Sequence, residues 1–446
     1  MPHLVYLAIG FPPAAKSSSY RMRATANLFR DLGWDVTVIT IERTAWLREY
    51  GVDLSLEAGV DPDIRVVELP LTRIDLDPDI RNYSLARALF PRRWRSTRYR
   101  LDTVHFPEPV FGSWRGALEA GALAVHQERP ADLVLASPGP YTVLAAAWRL
   151  AQLGVPFAID FRDAWSLDVV TGTVAAGPNS RIGRWEKRLF DHARQIWTVN
   201  DPIRDYYVQR YPATATRVHV VRNGFDEHES LAPAAWRPPN PWRGLRFGYL
   251  GTMTLPARQL ENLLAGWTLA RERDAVVARS ELIFRGYLGA GMMRGANVNA
   301  RTIAAYARQG VSYGGPVSRA DLAEVYGGFD ALVLALIGGR YVTSGKVYEY
   351  LSTGLPIVSA HQPVHDAANL LAGYPMWAPT DSVDPEDQAA AFIAGAHLAL
   401  DSRADDHARA LDFAAQFERR KLLRPAIARL AATVTGDLPV REEARP

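Results

Sequence analysis

The chain contains no cysteine. That absence excludes disulfides, thiolate zinc sites and cysteine nucleophiles together, and it fits a reducing compartment. No apolar run reaches the length of about 18 residues that a membrane-spanning helix needs. The opening "MPHLVYLAIGFPP" has no basic lead, and its apolar run is too short for a signal peptide, so it reads as a first buried strand. Lysine is scarce: of 51 basic residues only Lys16, Lys187, Lys346 and Lys421 are lysines. Net charge is also small, at +3, which argues against a nucleic-acid partner. A cytoplasmic setting is expected, with room for peripheral contact with the inner face of a membrane.

What is present is enough apolar sequence, 48% of 446 residues, for more than one core. Short apolar runs alternate with helical patterns throughout. Strands are expected at residues 3–10, 35–40, 64–69, 132–137, 157–160, 195–200 and 218–222, with helices over 19–33, 141–154, 182–194 and 202–211 between several of them. Such alternation predicts a parallel sheet covered on both faces. The proline-rich segment "LAPAAWRPPNPWRG", residues 231–244, reads as a linker, and the alternation then restarts with "LRFGYLG". The fold class expected is α/β, with two doubly wound (Rossmann-like) domains, 1–230 and 245–410, facing across a cleft. A last helical stretch, within 401–435, is expected to pack across both domains, and residues 411–446 are expected to end in a disordered tail. In doubly wound sheets ligands bind beyond the carboxyl ends of strands, so residues just after strands carry the chemistry.

The stretch "TSGKVYEYLSTGLPIV", residues 343–358, shows why. Thr343 or Ser344 is an N-cap, and Gly354 with Pro356 stops the helix. Lys346 lies in the first turn, where a cation opposes the helix dipole by roughly 0.3–1 kcal/mol. An anion at that helix start reverses the sign. Free N–H groups, Gly345 and Lys346 together suit a phosphate, and Glu349, one turn on, suits sugar hydroxyls. The plain alternative is a solvated Lys–Glu pair.

The order Lys346-x-x-Glu349-Tyr350, then Gly354-x-Pro356, in a second doubly wound domain resembles the nucleotide-sugar site of glycosyltransferases with the GT-B fold. The likeness is greatest to the family-four retaining enzymes of bacteria. "SSSYRMRATANLFRDLGWDVTVIT", "PADLVLASPGP", "GVPFAIDFRDAW", "IWTVNDPIRDYY", "VVRNGFD" and "FGYLGTM" are similar to pieces of that family in the same order, over nearly the whole chain. The resemblance implies a nucleotide-sugar donor on the second domain and a glycosyl acceptor on the first. It implies donor contacts from Gly251, Thr252, Arg285, Gly286, Thr343, Ser344, Gly345, Lys346 and Glu349. Acceptor contacts are implied for Ser18, Ser19, Ser137, Asp160 and Trp165, with Arg162 and Asp163 beside Lys346 in the catalytic group. Retaining transfer to a hydroxyl or amine of a glycan, a lipid-linked acceptor or a secondary metabolite is the expected reaction, with the leaving phosphate as base. One departure stands out. Eight residues before Glu349, where many members carry a sugar-binding Glu, this chain has Tyr341.

No metal or other cofactor is expected. The ten histidines are scattered, and Pro363 separates the nearest pair, His361 and His365. A nucleotide-sugar epimerase of the same architecture and a binding protein without turnover are the competing readings. Residues 81–100 hold seven arginines and no acid, interleaved with Phe90, Trp94 and Tyr99. That segment reads as a solvated face or as contact with an anionic membrane surface. The oligomeric state is not readable.

Overall fold

A computed structural model describes all residues except 50, 72–74, 76, 78, 227–235, 241, 290–295 and 437–446. Part of the expected linker, and the tail, thus lie outside the described residues. Contacts divide the chain into two units. The first is Met1–Asp168 and Thr173–Arg222, joined by the chain from Arg420 onward; the second is Val169–Gly172 and Asn223–Arg419.

The first unit is built on seven parallel strands. They are β1 (His3–Leu7), β2 (Asp35–Ile41), β3 (Arg65–Leu69), β4 (Leu133–Ala136), β5 (Phe157–Phe161), β6 (Ile196–Thr198) and β7 (Val218–Val220). Their order is β3-β2-β1-β4-β5-β6-β7. His3 pairs with Asp35, and Leu4 with both Val36 and Leu133. Every residue of β1, β4 and β5 is buried, because helices cover both faces of a parallel sheet. The edge strand β3 is mostly solvent-facing and carries Arg65 and Glu68, charges that discourage edge pairing. The apolar face of the helix Ser17–Asp31 packs into this core through Met22, Ala26 and Phe29. Leu423, Ile427 and Leu430 of the last helix, Arg419–Thr435, join the same cluster.

The second unit has six parallel strands: β8 (Arg246–Leu250), β9 (Glu281–Arg285), β10 (Val311–Tyr313), β11 (Ala331–Ala335), β12 (Ile357–Ala360) and β13 (Trp377–Ala378). Their order is β10-β9-β8-β11-β12-β13. One face is packed by Phe247, Leu263, Trp267 and Phe392, the other by Leu332, Tyr348, Tyr350 and Leu371. Both sheets are therefore Rossmann-like, as the strand–helix alternation predicts. All expected strands are present, within a few residues of the expected ends. The two-residue β13 and the helix Pro385–Asp401 were not read from sequence. Two residues are too few to show a period of two.

In each sheet the strand order reverses beside the first strand, between β1 and β4 and between β8 and β11. The crevice at that reversal, at the carboxyl ends of the strands, is where such sheets bind ligands.

Candidate active site

In the second unit, the helix Gly345–Leu351 follows β11 and buries Val347, Tyr348, Tyr350 and Leu351. Tyr350 fixes its height. The Tyr350 hydroxyl accepts from the backbone N–H of Leu250, the last residue of β8, at 2.9 Å. Lys346 lies one turn before Tyr350 on the same helical face, so it is carried over the end of β8. Its ammonium stands 3.8 Å from the ring centroid of Tyr249, a cation–π contact in a largely dry setting. Burial lowers its pKa to about 7, and the nearby charge of Glu349 only partly opposes the shift.

The glycines around Lys346 are there for space. Gly251 has φ +120°, and a Cβ on it would lie 3.2 Å from the Lys346 Nζ. Gly286 has φ +111°, and its Cβ would lie 2.3 Å from the Gly251 carbonyl oxygen, which no side chain tolerates. The Gly251 N–H donates to the Arg285 carbonyl at 3.0 Å, so Gly251, Arg285, Gly286 and Lys346 form one contiguous group. The Arg285 Nε is buried without a hydrogen-bond partner, and Gly314 makes room for its side chain. Thr252 is exposed, and its carbonyl accepts from the Tyr249 hydroxyl at 2.9 Å.

At the start of the helix, the Ser344 hydroxyl accepts from the Lys346 N–H at 3.2 Å. Gly345 is exposed, with nothing within 4 Å of a Cβ placed there, so the space beside its backbone is open. Thr343 turns away and donates to the Asp366 carboxylate at 2.5 Å. Glu349 accepts from the Tyr326 hydroxyl at 2.9 Å, and its charge acts on the partly buried Arg319. Tyr249, Tyr326 and Arg319 were not singled out in the sequence. Tyr350 was read there only as part of the order Lys346-x-x-Glu349-Tyr350, without its anchoring role. Tyr341 lies under the Arg340 guanidinium, 4.9 Å from ring centroid to carbon, and its hydroxyl accepts from Arg340 at 2.9 Å.

The first unit sorts its expected residues differently. Asp160 is fully buried, and both its oxygens are taken by Arg21, at 2.8 and 2.7 Å. Arg21 also donates to the Arg222 carbonyl at 2.9 Å. Asp160 therefore joins the helix after β1 to β5. Trp165 is 7% exposed and stacks against both Tyr141 and Phe106, which leaves little of its ring for a sugar. Ser19 is buried, with its hydroxyl 2.6 Å from the Gly10 and Ala14 carbonyls, and it holds the loop after β1. In all three the side chain is already engaged within the first unit: Asp160 by Arg21, Trp165 by its aromatic neighbours and Ser19 by the loop after β1.

Ser18 and Ser137 differ. Both hydroxyls are buried at the reversal point of the first sheet and neither finds a hydrogen-bond partner. Arg162 donates to the Pro138 carbonyl at 2.9 Å, and its Nε is unpartnered. Asp163 is exposed. The "SPGPY" loop is held by Glu108, which accepts from the N–H groups of Tyr141 and Thr142 at 2.9 and 2.7 Å. Among the described residues no group of three His, Asp or Glu is arranged to hold a metal ion. His361 and His365 are ring neighbours at 5.1 Å, but the His365 Nδ1 accepts from the Ala367 N–H.

Comparisons with known proteins bear on this arrangement. Residues 18–224 match the family model described as a glycosyl transferase 4-like domain. No curated protein matches the chain by sequence. A glycosyltransferase structure from Rickettsia africae ESF-5 is similar over 98% of this chain and 99% of that one, at 12% identity and a TM-score of 0.63. An Escherichia coli trehalose-6-phosphate structure bound with UDP-2-fluoro glucose matches over 98% and 100%, at 15% identity and 0.63. Anabaena Alr3699/HepE in complex with UDP-glucose matches over 97% and 100%, at 12% and 0.60. Residues 18–224 thus resemble a glycosyl transferase 4-like domain, and the chain as a whole shares the two-domain GT-B fold of these structures.

Proposed function

We propose that the protein transfers a sugar from a nucleotide-sugar donor to a hydroxyl or amine of an acceptor, with retention at the sugar carbon. The observation that carries this reading is Lys346. It is a cation held over Tyr249, beside two glycines, at the ligand-binding end of the second sheet. A donor diphosphate supplies counter-charge beyond the partial compensation that Glu349 gives this lysine. Gly345 leaves backbone room for the phosphates, and Arg285 and Gly286 border the nucleoside. Glu349, set by Tyr326, accepts from ribose hydroxyls. The UDP-sugars held by two of the similar structures support a nucleotide sugar as donor.

In the proposed reaction the bond from sugar carbon to diphosphate oxygen breaks, and the bond to the acceptor oxygen or nitrogen forms on the same face. The acceptor proton passes to the departing diphosphate. The enzyme's main task is to stabilise charge on that leaving group, and Lys346 is the group for it. Ser18, Ser137, Arg162 and Asp163 are the acceptor-side candidates on the first unit. The acceptor is a glycan, a lipid-linked sugar or a secondary metabolite.

A thermal-shift panel of UDP, GDP, ADP, TDP and CDP sugars tests the donor site. A ligand at 100 times its dissociation constant stabilises by about 2.7 kcal/mol. Transfer by Lys346→Ala should fall at least tenfold, with unchanged circular dichroism. No shift with any nucleotide sugar, or full activity in the variant, would sink the reading. Tyr341, bound to Arg340 where a sugar-binding Glu is common, favours one second reading, in which the donor binds but is not turned over. Donor-induced stabilisation without transfer to any acceptor would select it.

A further inference from the structure

Residues 80–105 of the first unit form a surface that holds none of the residues assigned above to donor or acceptor. After the turn Ile80–Asn82 come two helices, Leu85–Leu89 and Pro91–His105. Six large apolar side chains here face solvent: Ile80 is 75% exposed, Leu85 81%, Leu89 67%, Phe90 55%, Leu101 54% and Val104 65%. Leu85 and Leu89 share a face of the short helix, and Leu101 and Val104 share a face of the long one. Arg93 and Arg100, two turns apart, are exposed beside them, and Arg92 and Arg95 are exposed on the same helix.

The inward side of the long helix is polar. Asp102 is buried, and Arg98 lies 3.9 Å from it, itself partly covered. Arg87 is buried over the rings of Tyr83 and Trp94, at 3.6 and 5.0 Å, and donates to the Asp75 and Asp77 carbonyls. Arg181 donates to the Thr103 and Val104 carbonyls at the far end. Charged and aromatic groups thus anchor the segment while its aliphatic side chains point out. That is the reverse of a helix laid on a soluble core, where the apolar stripe faces inward. The cationic surface continues onto the helix that Arg181 begins, where Arg184 and Arg188 are exposed around Trp185.

We infer that this surface docks the protein on an anionic lipid bilayer, with the aliphatic side chains entering the headgroup boundary and the arginines meeting lipid phosphates. Charge decides among occupants. A second copy would set arginine against arginine across a two-fold axis. A nucleic acid would leave the aliphatic side chains without a partner, since bases stack on aromatic or guanidinium planes. An anionic membrane satisfies both components at once. The inference depends on this surface alone, so it stands or falls independently of the donor site.

The test is flotation of the full chain with vesicles of equal parts phosphatidylglycerol and phosphatidylcholine, against phosphatidylcholine alone. The wild type should float with the anionic vesicles, and added salt should release it. Each arginine near the surface strengthens partitioning about fivefold, so Arg93→Gln with Arg100→Gln should weaken it by roughly twenty-five-fold. Leu101→Asp with Val104→Asp should abolish flotation. All four positions are exposed or flanked by solvent, so unfolding midpoints should stay at the wild-type value. Equal partitioning onto neutral vesicles, or wild-type flotation by both variants, overturns the inference. So does a wild-type dimer that Leu101→Asp with Val104→Asp turns into a monomer. Binding to an RNA homopolymer that displaces the vesicles and survives the aspartate substitutions also overturns it.

Discussion

Lys346 is the residue on which the proposed chemistry turns. A cation in the first turn of a helix is unfavourable when nothing else offsets the dipole, and here the ammonium also lies over the Tyr249 ring, 3.8 Å from its centroid. Burial lowers its pKa to about 7, so the free protein holds it as a mixture of charged and neutral forms at neutral pH. A bound diphosphate favours the charged form and raises that pKa. Binding should therefore take up a proton above pH 7 and none well below it. Calorimetry at about pH 8.5 in buffers of different ionisation heat should show uptake approaching one proton, and Lys346→Met should remove it. Uptake that persists in the variant would move the titrating group elsewhere. Sequence singled this lysine out through its helix position and its spacing to Glu349. It gave no view of Tyr249, which lies 97 positions earlier and reaches Lys346 only because β8 ends under the helix.

The helix Gly345–Leu351 is too short to hold its own geometry. It is positioned by buried side chains and by the Tyr350 hydroxyl, which accepts from the Leu250 N–H and donates to the Leu250 carbonyl. Tyr350→Phe keeps the shape and leaves that buried N–H without a partner, which costs about 1–3 kcal/mol. Because Lys346 rides on the same face, donor affinity should fall along with the unfolding midpoint, by several-fold in a titration. A drop in stability with unchanged donor affinity would show that the helix is held by packing alone. In the first unit the "DFRD" element shows the opposite relation between pattern and use. Asp160 and Asp163 both follow naturally from a strand end, yet Asp160 is drawn inward by Arg21, 139 positions away, while Asp163 stays in solvent. Nothing within the motif distinguishes the two carboxylates.

Chain order and spatial grouping part company at the carboxyl end. The helix Ala404–Ala415 packs in the second unit through Ala410 and Ala414, while Leu423, Ile427 and Leu430 of the next helix lie in the core of the first. All three are fully buried. Each contributes about 1.5–3 kcal/mol by burial, a sum comparable with the roughly 5–15 kcal/mol that holds a domain folded. A chain ending at Arg419 should lose the cooperative unfolding of the first unit in calorimetry. Two unchanged transitions would mean that the last helix is dispensable.

Strand and helix positions in both sheets were legible because their signals are local: apolar runs a few residues long, periodic helical faces, and glycine or proline at the ends. The doubly wound class and the strand ends that carry ligands follow from those signals and from known chirality and connection rules. The identity of the groups that meet at those ends was not legible. Arg21 with Asp160, Leu250 with Tyr350, and Trp165 between its aromatic neighbours are partnerships across long stretches of chain, decided by which side chains reach a buried site and exclude the rest. The same holds for the segment around Arg93. Its arginines were visible as composition, but that its aliphatic side chains point outward depends on Asp102 and Arg87 being anchored inside. Local pattern sets where the backbone turns and pairs, whereas burial, which is a property of the folded whole, sets which residues are left free to act.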